Sequence, residues 1–205
     1  MPAQGKFITL EGGEGAGKST QATILAQKLR EIGLEVVETR EPDGPICDLL
    51  VNGDAEWDPR SEALLHFAAR AQHLAEVVRP ALDAGQWVVC DRFADSTMAY
   101  QGVVQGAGAD FINGLYDLVV GETGPDLTLI FDLPIEVGLA RAGARMAGED
   151  RYEKMGADFH HRLREAFTDI ANQHEDRCVL LNAHRPIDVV SAHIWQVTRE
   201  RLDLT

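Results

Sequence analysis

The chain has 205 residues, 45% hydrophobic and 25% charged, an ordinary globular composition that excludes disorder over most of its length. No uncharged apolar run approaches the roughly 20 residues that cross a bilayer. Thirty-three acidic against 19 basic residues leave a net charge of −14, which repels a nucleic-acid backbone over most of the surface.

A chain of this length is expected to form one domain, 1–205, with enough buried surface for a real core. Met1–Lys6 lacks the apolar stretch of a signal peptide, so export is not expected. Cys47, Cys90 and Cys178 are odd in number and far apart. That argues against a disulfide framework or zinc site and suits a reducing cytoplasm.

In chain order, Lys6–Glu11 is predicted as a strand and Gly17–Ile32 as a helix stopped by Gly33. Glu35–Thr39 is a second predicted strand. Arg60–Ala84 reads as a long helix with an apolar stripe at Leu64, Phe67, Ala71, Leu74 and Val78, kinked or ended by Pro80 and stopped by Gly85. Trp87–Cys90, Leu127–Phe131 and Val179–Asn182 complete a set of five apolar strands, and a last helix runs from about Ile187 to Leu202. Continuous apolar strands separated by helices indicate an α/β fold, a mostly parallel sheet covered on both faces. The polar, arginine-bearing stretch from about 141 to 156 reads either as a lid or as a plain surface loop.

Gly12-Gly13-Glu14-Gly15-Ala16-Gly17-Lys18-Ser19 matches G-x-x-x-x-G-K-[ST] between a predicted strand and a predicted helix, the context this phosphate-binding loop requires. Its glycines let backbone N–H groups turn toward phosphate oxygens at a helix N-terminus, and Thr20 continues that first turn. Lys18 is placed to reach the β- and γ-phosphates of a nucleoside triphosphate and Ser19 to ligate Mg²⁺. Glu14 is an anion beside phosphates, a costly position that suggests a job such as accepting from a sugar hydroxyl.

Asp91-Arg92 follows the apolar strand directly and so lies at the carboxyl edge of the sheet, where ligands of open α/β folds bind. Asp91 can hold Mg²⁺ and Arg92 a phosphate, with Ser96, Tyr100 and Gln101 supplying a polar ring. His66, Arg70 and His73 fall at i, i+4 and i+7 and so share one helix side, distinct from the centre of the apolar stripe. If that side lines the cleft, Arg70 can donate to a base carbonyl and His66 can stack on a base. The alternative is a solvated polar face.

GGEGAGKS (Gly12–Ser19), TREPDG (Thr39–Gly44), HFAAR (His66–Arg70), CDRFADSTMAYQG (Cys90–Gly102) and PDLTLIFDLP (Pro125–Pro134) resemble the thymidylate kinases in order and spacing. The resemblance runs over about residues 5 to 200 and implies a three-layer P-loop fold. It also implies transfer of the γ-phosphoryl group of Mg-ATP to dTMP, in dTTP biosynthesis, by a cytosolic homodimer. By the same resemblance Glu14 lies near the acceptor 3′-hydroxyl, Asp91 serves metal, and Arg92 and Arg40 the acceptor phosphate. Arg70 reads the base, Tyr100 disfavours a 2′-hydroxyl, and Ser96 and Gln101 make base-side contacts. One class of the family carries a catalytic arginine in the loop where Gly15 stands here. The other supplies it from the lid, for which Arg141, Arg145 and Arg151 are the candidates.

The departures all fall on the acceptor side. Asp43 and Pro45 interrupt the family's REPGGT segment, and no arginine occurs between Arg40 and Arg60. His66, with Phe67 beside it, takes the place of the base-stacking aromatic, and Val103-Val104-Gln105 replaces Gly-Gly-Arg. A kinase for another deoxynucleoside monophosphate, and an ATP-binding homologue without acceptor turnover, are the alternatives these changes leave open. A GTP-dependent switch is disfavoured, since no N-K-x-D tetrapeptide occurs.

Overall fold

In the computed structural model, which describes residues 5–52, 55–144, 152 and 155–204, five strands form one all-parallel sheet. They are β1 (Phe7–Gly12), β2 (Val36–Arg40), β3 (Trp87–Asp91), β4 (Leu127–Asp132) and β5 (Cys178–Asn182), in the order β2-β3-β1-β4-β5. β1 and β3 are buried along their whole length, which explains their mostly apolar sequences, with Thr9, Glu11 and Asp91 the buried polar residues among them. On β1, Ile8 and Leu10 point into one core and Phe7 into the other, as the two-residue period of a strand requires. The pairing sets Leu10 against Asp91, Arg40 against Asp91, and Gly12 against Phe131. Four strand ends therefore meet at one edge.

Helix α1 (Lys18–Glu31) and helix α9 (Ile187–Arg201) cover one face, where Leu25, Leu29 and Ile194 join Ile8 and Leu10. The short α2 (Pro45–Cys47) leads toward α3 (Pro59–His73), which packs on the other face with α6 (Ala109–Val119). Asp58 caps α3, accepting from the N–H groups of Arg60 and Ser61 at 3.0 and 3.3 Å, with Pro59 at the first position, as this cap motif predicts. α8 (Ala157–Gln173) covers β4 and β5 with Leu163, Phe167 and Ile170, after α7 (Ile135–Gly143).

The predicted helix Arg60–Ala84 is present as α3 continued into α4 (Arg79–Asp83), but the join Leu74–Val78 is a widened turn in which the Arg79 N–H reaches the Leu74 carbonyl. Such a turn accommodates Pro80, which has no N–H to offer the ladder. The predicted stripe needs correction. Leu64, half exposed, and Ala71 face outward, and the buried face is Ala63, Phe67, Arg70, Leu74 and Val78. The buried face is thus centred on an arginine, which no hydropathy pattern reports. A second widened turn, Met98–Val104, follows α5 (Ala94–Thr97). The predicted lid segment begins in α7, with Arg141 exposed in its last turn; Arg145 and Arg151 lie outside the described residues.

Phe7 is fully buried and its ring meets Phe93 edge-on at 5.0 Å, joining β1 to the segment that follows β3. Truncation there leaves a cavity between the sheet and the helices that cover it, so Phe7→Ala is expected to lower unfolding stability by about 3–5 kcal/mol, read by urea denaturation. A loss below about 1 kcal/mol would show that this core is not packed as described.

Candidate active site

The loop after β1 turns back on itself through Gly15 and Gly17, both at positive φ (67° and 92°), and α1 starts at Lys18. A Cβ at Gly15 would stand 2.0 Å from the Gly138 carbonyl oxygen, and one on Gly138 would stand 2.6 Å from the Glu14 carbonyl oxygen. α7 therefore lies directly on the loop backbone, and no side chain fits at either glycine. Lys18 is buried and its Nζ donates to the carbonyls of Gly12 and Gly13 at 3.0 and 2.7 Å. Burial, and then the neighbouring Arg92, lower its pKa to about 8 against the opposing pull of Glu14, Asp91 and Glu11.

Arg92 follows β3 in a left-handed conformation (φ 71°), with its N–H bonded to the Leu10 carbonyl at 2.9 Å. That conformation costs a non-glycine residue about 1–2 kcal/mol, and it returns the side chain over the loop. Nη1 donates to the Gly12 carbonyl and Ser96 Oγ, each at 3.1 Å, and Nη2 to Glu14 Oε1 at 2.5 Å. Tyr100 also donates to Glu14 Oε1, at 2.7 Å. Burial alone would raise the Glu14 pKa, but Arg92 and Lys18 outweigh it and hold the carboxyl at about 2.

Ser19 Oγ donates to Asp91 Oδ2, while Asp91 Oδ1 is buried with no hydrogen-bond partner. A hydroxyl and an unpaired carboxylate oxygen side by side are hard donors that fit Mg²⁺, which keeps several waters and takes few protein ligands. Among the described residues no group of three or more His, Cys, Asp or Glu gathers as a metal cage.

Beside the loop lies a cleft of about 630 Å³ whose walls include Glu14, Arg40, His66, Arg70, Arg92, Ser96, Tyr100 and Gln101. All of these were singled out from the sequence, and the fold brings them together. Phe67 does not share the wall. It is buried beneath the cleft with the Arg70 guanidinium 4.6 Å above its ring, because position 67 falls on the core side of α3. His73 is likewise not in the wall, although it shares the side of α3 that carries Arg70. Its Nδ1 donates to Glu41 Oε1 at 2.8 Å, and its Nε2 is 2.8 Å from Thr39 Oγ1.

Arg70 is 2% exposed, and its charge is met from behind. Nε donates to Glu41 Oε2 at 2.9 Å and Nη2 to Thr97 Oγ1 at 3.2 Å, between the rings of Phe67 and Phe93. Nη1 is buried without a partner, in a side chain that forms part of the wall. A buried guanidinium nitrogen left unpaired is costly unless a ligand completes it. Glu41, Glu62 and Tyr152 are site residues that reading the sequence missed. The available signal for Glu62 was a carboxylate on the core side of a helix.

Glu11 was missed as well, although a carboxylate closing an apolar strand was visible. It is fully buried, accepting from the Phe93 N–H at 2.7 Å and Ser96 Oγ at 2.5 Å. Burial, and then the charge of Asp95, raise its pKa from 4.5 to about 7.

Comparison with known proteins places this geometry. Residues 10–194 match the family model described as thymidylate kinase. The thymidylate kinase of Caulobacter vibrioides is 51% identical, covering 98% of this chain and 99% of its own. That of Pseudomonas fluorescens is 52% identical over 94% of this chain and 92% of its own. A crystal structure of thymidylate kinase from Ehrlichia chaffeensis superposes with a TM-score of 0.76 at 34% identity, covering 95% of this chain and 98% of that one.

The Glu11 shift sets a stability slope. Because the folded state holds this proton more tightly, the stabilisation is complete below pH 4.5 and is lost as pH rises toward 7. Glu11→Gln is neutral at every pH, so the stability of wild type relative to this variant is expected to fall between pH 5 and pH 8. Urea unfolding of both proteins at the two pH values measures it, and a flat or rising difference contradicts the assignment.

Proposed function

The chain belongs to the thymidylate kinase family and is a nucleoside monophosphate kinase that phosphorylates dTMP; we propose that it draws the phosphoryl group from Mg-ATP through the residues around its first strand. The observation that carries this reading is the shared wall between the two half-sites. Glu14 belongs to the phosphate-binding loop, Arg92 bonds to both Glu14 and the Gly12 carbonyl, and both line the acceptor cleft. A donor phosphate on the loop and an acceptor phosphate in the cleft would thus be held by adjoining groups, as in-line transfer requires.

In this reading Lys18 and the loop N–H groups from Gly13 to Ser19 bind the donor phosphates, and Thr20 extends that binding into α1. Ser19 and Asp91 hold Mg²⁺, which supplies screening of the phosphate charge when bound. Arg92 and Arg40 hold the phosphate of dTMP. Arg92 gives up its bond to Glu14 for that phosphate, and Glu14 turns to the sugar 3′-hydroxyl. The attacking atom is an oxygen of a phosphate monoester, largely ionised at neutral pH with a second pKa near ~6, so no side chain need remove a proton. Arg70 Nη1 donates to the base carbonyl, His66 stacks on the ring, and Ser96, Tyr100 and Gln101 enclose the remaining edge.

The charge developing on the transferred group needs a further cation, and the contact between Gly15 and Gly138 leaves no room for a loop side chain there. We assign it to an arginine of the lid segment, Arg141, Arg145 or Arg151. The proposal extends to a single domain acting as a cytoplasmic homodimer. Leu64 on α3 and Leu118 on α6, 50% and 81% exposed, are apolar side chains that such a dimer would cover, and the free thiols of Cys90 and Cys178 suit a reducing compartment.

Coupled ADP-release assays with dTMP, dUMP, dCMP, dAMP and dGMP and excess Mg-ATP are expected to favour dTMP. A preference for another base would overturn the acceptor assignment. Lys18→Ala is expected to lower kcat by at least ~10²-fold with an unchanged thermal melt, and chelation of Mg²⁺ to stop turnover. Near-wild-type rates in either case would remove the corresponding residue or ion from the mechanism.

A further inference from the structure

Gln101 lies in the widened turn after α5, 1% exposed, with its side chain in the wall of the acceptor cleft. Its carboxamide has a donor end and an acceptor end, and which end faces the ligand decides what the cleft can read. Nε2 donates to Glu62 Oε1 at 3.0 Å and to Tyr152 Oη at 3.0 Å. Tyr152 Oη in turn donates to that same Glu62 oxygen. Both hydrogens of Nε2 are thereby used, and Oε1 accepts no hydrogen bond among the described residues.

We propose that Glu62 and Tyr152 are specificity-determining positioning residues, which lock the Gln101 carboxamide with its oxygen toward the base. The proposal rests on the dTMP reading above and deepens it. Turning the amide over would set its oxygen against the Glu62 carboxylate oxygen, two acceptors in contact in a buried site, where an unpaired polar group is most costly. Glu62 is fully buried, so no water relieves that clash. The Tyr152 ring is held in turn, edge-on to Tyr100 at 4.9 Å, and Tyr100 is bonded to Glu14.

The wall thus presents a fixed donor, Arg70 Nη1, and a fixed acceptor, Gln101 Oε1. That pair complements the imide edge of a pyrimidine, a ring N–H beside a carbonyl oxygen. Cytosine offers the reverse, a ring nitrogen that accepts and an amino group that donates, and would meet like with like at both points. Guanine shares the imide pattern, so size, not hydrogen bonding, must exclude it. The selectivity of the amide rests on two side chains that themselves need touch no ligand.

The test uses Glu62→Gln and Tyr152→Phe in the full-length protein, with dTMP and dCMP as acceptors. Glu62→Gln supplies a side chain that tolerates either orientation of Gln101. The ratio of kcat/KM for dTMP over dCMP is expected to fall roughly tenfold or more. Tyr152→Phe removes one of two locks and should lower that ratio by several-fold. The change should sit mainly in KM for the monophosphate, with KM for ATP unmoved. In the wild type, the side-chain amide protons of Gln101 should give two resolved, slowly exchanging NMR signals, which merge with the exchangeable pool in Glu62→Gln.

If both variants melt like wild type and keep its dTMP-to-dCMP ratio, the proposal is overturned while the dTMP reading stands. A wild type that itself prefers dCMP would sink both. Should Glu62→Gln fail to fold, Tyr152→Phe and the wild-type amide spectrum decide, and an unaltered ratio or freely exchanging amide protons refute the lock.

Discussion

Two cations, Lys18, buried, and Arg92, part-buried, sit at the carboxyl edge of the sheet in a chain whose net charge is −14. Keeping them charged there governs the architecture around them. Desolvation pulls Lys18 down to about 8, and the carboxylates of Glu14, Asp91 and Glu11 oppose it. Arg92 needs the same neighbours, and it adopts a left-handed backbone to reach them. The cluster therefore carries its own countercharges, and on the proposed reading substrate phosphates would take over part of that role.

The close approach of α7 to the phosphate-binding loop is the second constraint. Gly15 and Gly138 leave backbone against backbone, so the loop is buttressed by a helix that leads into the arginine-bearing segment after Gly143. A loop supported in this way keeps its N–H groups aimed, but it gives up the space a side chain would need. The geometry thus accounts for a division visible in the residues alone, a loop with glycine at position 15 paired with an arginine-bearing segment elsewhere.

What the residues disclosed in advance follows from which forces leave a periodic mark. Strands β1, β3 and β4 are buried on both faces, so their apolar runs were plain, and the G-x-x-x-x-G-K-[ST] spacing located the loop because its chemistry is local. The acceptor wall was readable through DR-x₃-S-x₃-YQ, where one short stretch carries most contacts. Glu11, Glu41 and Glu62 escaped because their roles depend on partners 85, 29 and 39 residues away. The outward placement of Leu64 and Ala71 escaped for a related reason. An ion pair with Glu41 turns Arg70 to the core side of α3, and hydropathy assigns that position to solvent.

On the proposed reading, Glu41 and Glu62 also account for how an acidic protein reads a neutral base. Glu41 holds Nε of Arg70 so that Nη1 is left over, and Glu62 holds the nitrogen of Gln101 so that its oxygen is left over. Each buried carboxylate engages one end of a bifunctional side chain, alongside His73 at Glu41 and Tyr152 at Glu62, and on the proposed reading the other end is the reading group. The wall of the cleft can therefore vary at a stacking position such as His66 while its donor and acceptor stay in place, since they are fixed from the protein side. Selectivity of this kind depends on what stands behind the contact residues, and it survives changes in the contacts themselves as long as the two carboxylates remain buried and paired.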